Sequence, residues 1–515
     1  MRNEPLLPQL AEGWEWSTLG DVFSEMKNGT TSTQNKEGWG IPVTRIETVQ
    51  NARFDLQRIG YVDDASPELI RTFQYHNGDI AFSHINSLPH VGKTALYEGV
   101  PEVLLHGMNL LRLRLGHDSL HPRFLHAAMQ ESFFREEVRD RVGRAVNQVS
   151  INQKKLSEVP LPIAPVAEQT RIVAKLGELL AHVNSARDHL SRVPVILKRF
   201  RQAVLAAACS GCLTEDWRLH HTPRTPSDGF LGGILAKRAD RAKQCGIRVA
   251  REPAKADLSQ LSDVPEDWAV TNIDQLSCVV TSGSRGWAKY YSASGRLFIR
   301  AQDINTDRLL TDGIAHVQPP NNAEGIRTRV CLGDLLITIT GANVTKSALV
   351  DRNIGDSYVS QHVALVRLIE PFIGPFLHLW TVSPLHGRAK LLDDAYGAGK
   401  PGLNLDNIKE MTVALPSPDE QVEIVHRVKS LFSLADNIEG HASKAARGAD
   451  KLTQSILAKA FSGELVPTEA DLARREGRDY EPASVLLERI RAGRADKASA
   501  PAGAKRKPRK ASAHV

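Results

Sequence analysis

The 515-residue chain repeats itself, and that repeat limits what it can fold into. Phe124-Leu125-His126 returns as Phe376-Leu377-His378, 252 residues later. The same step carries Ile151-Asn152 to Leu403-Asn404, Glu168-Gln169 to Glu420-Gln421, and Ile172-Val173 to Ile424-Val425. It also carries Ser210-Gly211-x-Leu213 to Ser462-Gly463-x-Leu465, and Ile234-Leu235 to Leu486-Leu487. Upstream the step drifts: Gly78-Asp79-Ile80 matches Gly333-Asp334-Leu335 at 255, and Lys93-Thr94-Ala95-Leu96 matches Lys346-Ser347-Ala348-Leu349 at 253. A drifting offset means small insertions and deletions, which belong in loops. The pattern is a duplication of two units, each a variable stretch followed by a strictly registered one, and not a many-repeat solenoid.

The registered stretches read as long helices. In the first, Ile172, Leu176, Leu179, Val183, Leu190, Leu197 and Val204, with Ala186, Val193 and Phe200 between them, fall on one seam with steps of four and three, the period of a coiled coil. In the second, the seam is Ile424, Val428, Leu431, Ile438, Leu452 and Ile456, with alanines at 435, 442, 445 and 449 between them. Small residues on one helix facing large ones on the other predict that the two helices pack together. Pro165 and Pro418 mark the starts, and Gly211 and Gly463 are expected as left-handed caps after the ends. At 1.5 Å per residue each helix should be roughly 60 Å long. In the variable stretches, short β-rich runs such as Asp334–Ile339 alternate with Gly, Asn, Asp and Ser turns, and helical stretches are expected near 121–141 and 375–392.

Charge and cysteine content narrow the function classes. The net charge of +6 resides in the C-terminal tail, where residues 494, 497, 505, 506, 507, 509 and 510 are Lys or Arg and only Asp496 opposes them. Such a tail reads as disordered and able to touch polyanions without specificity. Any specific polyanion site must therefore come from local patches. Five cysteines form no disulfide framework and fit a reducing compartment. No apolar run is long enough to span a membrane and the N-terminus lacks a signal-peptide pattern, so a cytoplasmic location is expected.

Catalytic and metal motifs are missing. Gly92-Lys93-Thr94 resembles the end of a phosphate-binding loop, but Ser87 stands where the pattern needs glycine. Cys209-x-x-Cys212 has Phe461 and Glu464 as its repeat partners and no second cysteine pair at zinc-site spacing. No His-Glu-x-x-His, Gly-x-Ser-x-Gly or amino-methyltransferase box is present, so no catalytic, cofactor or metal residues are assigned. Polar, glycine-rich, basic loops recur instead. In the first half they supply Lys27, Asn28, Thr30, Thr31, Arg45, Asn86, Ser87, Lys93 and Arg144. In the second half they supply Ser282, Arg285, Arg300, Asn343, Lys346 and Lys400. These residue types hold phosphates and read base edges, and they are the candidate DNA-binding set.

The duplicated order of motifs resembles the specificity subunits of type I restriction–modification systems. The resemblance rests on Leu403-Asn404, Leu415-Pro416 and Glu420-Gln421-Val422-Glu423-Ile424-Val425, and on Ile151-Asn152, Leu161-Pro162 and Glu168-Gln169-Thr170-Arg171-Ile172-Val173. Arg300-Ala301-Gln302-Asp303-Ile304 keeps another family pattern, while Arg45-Ile46-Glu47-Thr48-Val49 lacks its Asp. The resemblance implies an α+β chain with two target recognition domains, separated by two long coiled-coil helices in an internal pseudo-twofold repeat. It implies a non-catalytic subunit that reads a bipartite asymmetric site in double-stranded DNA. It implies two methyltransferase subunits as partners, which bind S-adenosylmethionine, and two restriction–translocase subunits, which use ATP and Mg, with no cofactor on this chain and no membrane.

The domains expected are a first recognition domain over 1–165, a first conserved helix over 166–213, and a linker with a short helix over 214–264. A second recognition domain over 265–417 and a second conserved helix over 418–465 follow, then a C-terminal helix and the basic tail over 466–515. Two other classes compete: a restriction nuclease or methyltransferase with unrecognised catalytic residues, and a coiled-coil adaptor protein. Activity in the isolated chain would favour the enzyme. Absence of sequence-dependent DNA binding would favour the adaptor.

Overall fold

The computed structural model describes residues 7–499 apart from 64–65, 146–147, 245–252, 254, 258–260, 262, 284, 320–322 and 398–400. Arg494 and Lys497, expected in a disordered tail, lie instead on helix Ala483–Ser499; the tail beyond 499 and Lys400 lie outside the described residues. The chain forms two compact units. The first runs to Leu190 and resumes at Lys444; the second is the continuous segment Ser191–Ser443. The two long helices, Val166–Cys209 and Pro418–Phe461, are each divided between the units. No described helix is long and apolar enough to cross a membrane.

In the first unit, strand Glu15–Thr18 pairs antiparallel with Pro160–Ile163, directly before the first long helix. A four-stranded antiparallel sheet follows in the order Phe23–Asn28, Leu110–Leu115, Ile80–Ser83, Thr94–Leu96. The second unit repeats both features. Ala269–Asn272 pairs with Thr412–Leu415, and the sheet runs Ser277–Ser282, Val363–Leu368, Leu335–Thr338, Ser347–Leu349. It adds a second four-stranded sheet in which Arg296–Ile299 pairs in parallel with Ser357–Val359. Helices Pro122–Ala128 and Ser132–Arg141, and Gly374–Val382 and Gly387–Asp393, fall where the sequence places them. The α+β class expected from the sequence is the one found. The linker holds two helices, Glu215–His220 and Ser227–Gln244, where one was expected.

The repeated motifs are the joints of this architecture. Asn152 and Asn404 are N-caps whose side chains accept from Lys155 N and Asn407 N, each at 2.8 Å. In the Glu-Gln pair, the Gln169 and Gln421 amides donate to the carbonyls of Ala164 and Pro416, both at 2.8 Å. Each glutamate is buried at the start of its long helix and accepts from an indole N–H. Trp14 donates to Glu168 and Trp268 to Glu420, both at 2.9 Å. Glu168 also accepts from Glu469 N, and Glu420 from Thr214 Oγ1 and Arg218. Gly211 and Gly463 take positive φ, 74° and 82°, as left-handed caps. A β-carbon on Gly211 would stand 2.4 Å from Pro265 Cγ, and one on Gly463 would stand 2.5 Å from Ala11 Cβ.

The core of the first unit draws Ile172, Leu176 and Val183 from one long helix and Ile456, Leu457 and Ala460 from the other. That of the second draws Val204 and Ala208 from the first helix and Ile424 and Val428 from the second. Leu197 and Ala435 are buried, Leu179 and Leu431 partly so, and Leu190 is half-buried. Two seam residues are corrected: Ile438 and Leu452 are 42% and 52% exposed. Ala449 is half-buried and Ile456 buried, as predicted, so the second seam departs from expectation only over the middle of its helix. In the second unit Arg201 reaches Asp436 and Glu439 at 2.7 and 2.9 Å; in the first, Arg187 reaches Asp450 at 2.7 Å and Thr453 at 3.3 Å. Ala442 is half-buried and Ala445 exposed.

At matching places in the two units a glycine is fixed by a close backbone approach. At the end of the first sheet strand, a β-carbon on Gly29 would sit 2.0 Å from the Gly107 carbonyl oxygen, and one on Gly283 2.0 Å from that of Val359. Backbone cannot swing aside as a flexible side chain can. Gly283→Ala should therefore destabilise the chain by at least ~1–3 kcal/mol, the cost of overpacking. The denaturant midpoint measures this, and an unchanged midpoint would mean the crossing can open.

Candidate nucleic-acid interface

Strand register decides which loops meet. In the first unit Asn28 lies opposite Leu111, Leu110 opposite Ser83, and Phe82 opposite Thr94. Asn28, Ser83 and Lys93 therefore share one end of the four-stranded sheet, and Ser83 N donates to Lys93 O at 2.9 Å. Ile85–Asn86 pairs with Gln148–Ser150, which pairs with Gly143–Ala145. This brings the backbone of Arg144 to the same end. Lys27, Asn28, Thr30, Thr31, Asn86, Ser87, Lys93 and Arg144, scattered over the sequence, belong to one loop cluster.

The second unit builds the same end from different residues. Ser282 lies opposite Ala364, Val363 opposite Thr338, and Ile337 opposite Ser347. Loops around Gly283–Arg285, Thr340–Lys346 and Ser360–His362 leave from there. Thr340 and Tyr396 both bridge to Gly402, which carries the next loop to this end.

Not every candidate is free to reach a ligand. Thr30 is buried, 3% exposed, and hydrogen-bonded to Ser32, so it supports the loop rather than offering a contact. Asn343 donates to the carbonyls of Ala301 and Ile304 at 3.1 and 3.4 Å. Arg300 forks onto Asp303 with two bonds of 3.0 Å, and Arg45 bonds Glu47 at 2.7 Å. Asp303 also accepts from Arg300 N, at 2.8 Å; in the first unit Thr48 accepts from Arg45 N at the same distance. Threonine thus replaces the missing Asp as the cap of this turn. Lys346 lies 3.7 Å from Asp307, and the Lys27 ammonium sits over the Phe73 ring at 5.4 Å. Asn28, Thr31 and Arg285 are exposed, and Asn86, Ser87, Lys93 and Ser282 half-buried.

Sequence reasoning missed Met108, 55% exposed, Asn109 with φ 69°, and Gln148 at this end of the first unit. It missed Gln361 and His362 at that of the second. Positive φ at a non-glycine residue was the detectable signal for Asn109, but only once the backbone was in hand. Among the described residues no group of three His, Cys, Asp or Glu could hold a metal ion. Cys209 is buried, its thiol pushed up to about 12 by desolvation, whereas Cys212 is exposed.

A family description, the type I restriction modification DNA specificity domain, matches residues 11–189. The Escherichia coli type I restriction enzyme EcoBI specificity subunit is 33% identical over 352 residues, 67% of this chain and 66% of that protein. The chain belongs to the type I specificity subunits. The Salmonella potsdam StySPI specificity subunit is 27% identical over 500 residues, 95% of this chain and 96% of that protein. A putative MjaX specificity subunit of Methanocaldococcus jannaschii is 37% identical over 221 residues, a match spanning only 52% of that relative's length. A solved structure from work on complex assembly and conformational transition of the type I R-M system has a TM-score of 0.56 and 17% identity. It covers 89% of this chain and 100% of that one, a likeness of fold.

Proposed function

We propose that this specificity subunit reads a bipartite, asymmetric site in double-stranded DNA, one half with each loop cluster. The observation that carries the reading is the pair of sheet ends: the same topology presents different residues in each unit. Equivalent frames position equivalent readers, and different side chains select different bases. Diverged readers free the target from palindromy.

The long helices set the unread gap and dock two methyltransferase subunits. Their 44 residues apiece give a length of roughly 66 Å, ample for half-sites about one DNA turn, ~34–36 Å, apart. Two restriction–translocase subunits complete the assembly. Methyl transfer draws on S-adenosylmethionine held by the methyltransferase partner, and cleavage on ATP and Mg held by the motor partner. The reading gives this chain no catalytic centre, only positioning.

Single-molecule methylation mapping of host DNA tests it, with and without the gene for this chain. The expected result is loss of one methylated motif made of two short, different blocks around an unread gap. An unchanged methylome, or a continuous palindromic motif, would overturn the proposal.

A further inference from the structure

The two units treat one cationic pair differently. Each carries a two-residue hairpin, Val49–Gln50 with Arg53–Phe54 and Ile304–Asn305 with Arg308–Leu309. Both turns put two non-glycine residues at positive φ: Asn51 (48°) and Ala52 (61°), and Thr306 (50°) and Asp307 (58°). The backbones match, but the last turn residue is Ala52 in one and Asp307 in the other.

In the second unit Asp307 closes the local charge balance. Arg388, on helix Gly387–Asp393, bonds its Oδ1 at 2.5 Å, Ser347 N donates to the same oxygen at 3.2 Å, and Lys346 lies 3.7 Å from Oδ2. In the first unit Lys93 matches Lys346, and Arg135 comes from the corresponding helix, Ser132–Arg141. That helix packs on the Lys93 loop: a β-carbon on Gly92 would stand 3.2 Å from Val138 Cγ1, and Arg135 is one turn before Val138. Lys93 touches the hairpin through Gln50 Oε1 at 3.5 Å. Among the described residues no carboxylate makes an ion pair with Lys93 or Arg135. Glu131 is occupied by Ser132 and Phe133 N, and Glu137 by Arg141. Burial first, then Arg135, holds Lys93 below the usual lysine range, and burial, then Arg139, lowers Arg135.

We infer that Lys93 and Arg135 form a phosphate clamp on the DNA backbone, a site that Asp307 closes in the second unit. The inference rests on the DNA-reading function proposed above and adds a specific asymmetry to it. Lys93 lies at the same sheet end as the reading loops, where a DNA backbone would run. A phosphodiester supplies the negative charge that Ala52 withholds.

Ala52→Asp is the direct test. Aspartate accepts positive φ more readily than alanine, so folding is not at stake. Binding is measured on the full chain with its methyltransferase partner, over a range of salt, using the mapped target duplex and a scrambled duplex. Losing one phosphate contact should make the slope of log K against log salt shallower by about 0.9, and binding at 0.1 M salt roughly 5–10-fold weaker on both duplexes. Asp307→Asn should do the reverse by releasing Lys346 and Arg388. The methylated motif should stay the same. An unchanged slope in Ala52→Asp, or an altered base preference, would overturn the clamp. Absence of DNA binding by the wild-type assembly would instead sink the DNA-reading function itself.

Discussion

Asp334→Asn should cost about 3–5 kcal/mol of stability, the penalty for breaking a buried ion pair from one side. Asp334 and Arg367 are 2% and 8% exposed, and the guanidinium forks onto the carboxylate with bonds of 3.0 and 2.8 Å. The same carboxylate accepts from Cys331 N at 2.7 Å. An amide keeps the shape but leaves the guanidinium buried without a counter-charge. Asp79, its repeat counterpart, should be more forgiving. Arg114, its bidentate partner, is 26% exposed, and the neighbouring Arg112 keeps a 2.6 Å contact with Glu25. Denaturant unfolding of both variants should give that order. Replacing both partners, Asp334→Leu with Arg367→Met, should recover part of the loss, because no unpaired charge stays buried, while the bonds to Cys331 N and Arg329 O are given up. Asp334→Asn at wild-type stability would mean that water reaches the pair.

Exchanging residues 23–150 for the equivalent segment of another specificity subunit should change one block of the target and nothing else. The boundaries follow from the joints. Trp14 with its bond to Glu168, the strand pair Glu15–Thr18 with Pro160–Ile163, and the Asn152 cap all stay native. The second loop cluster and both long helices are untouched, so the other block and the gap length should persist. Methylation mapping of the chimera reads the outcome. New bases in both blocks, or a changed gap between retained blocks, would refute the division of labour.

The repeat was legible because both copies use the same residues for the same joints. The Asn caps and the Glu-Gln pair recur in sequence because their side chains bond backbone or indole groups, and the glycines because they tolerate the left-handed turn. Partners reached only through folding were not legible. The Gly-Asp motif was visible, but nothing near it in sequence marks Arg367 or Arg114 as the cation that joins it. The helix seam was read well along most of the first helix and at both ends of the second, and failed at Ile438 and Leu452. There arginine contacts of the first helix replace apolar packing. The candidate site was legible as a set of loops. Which members are already committed, such as Thr30, Asn343 and Arg300, depended on burial and on hydrogen bonds that the sequence does not display.

The division of each long helix between two cores has a consequence for synthesis. The second unit is one continuous segment, Ser191–Ser443, and can complete its core as soon as that segment has left the ribosome. The first unit cannot. Its core needs Ile456, Leu457 and Ala460, and then Ala483, Leu486, Leu487 and Ile490 from nearly the end of the chain. The part made first is therefore finished last, against the usual N-terminal-first order of domain folding. Until then Leu176, Val183 and the apolar side of Trp14 wait for partners, and closing so long a loop slows their burial. The nascent chain is thus most exposed to misassembly in its earliest-made domain, and a stop codon anywhere before Ala483 leaves that domain without its final layer.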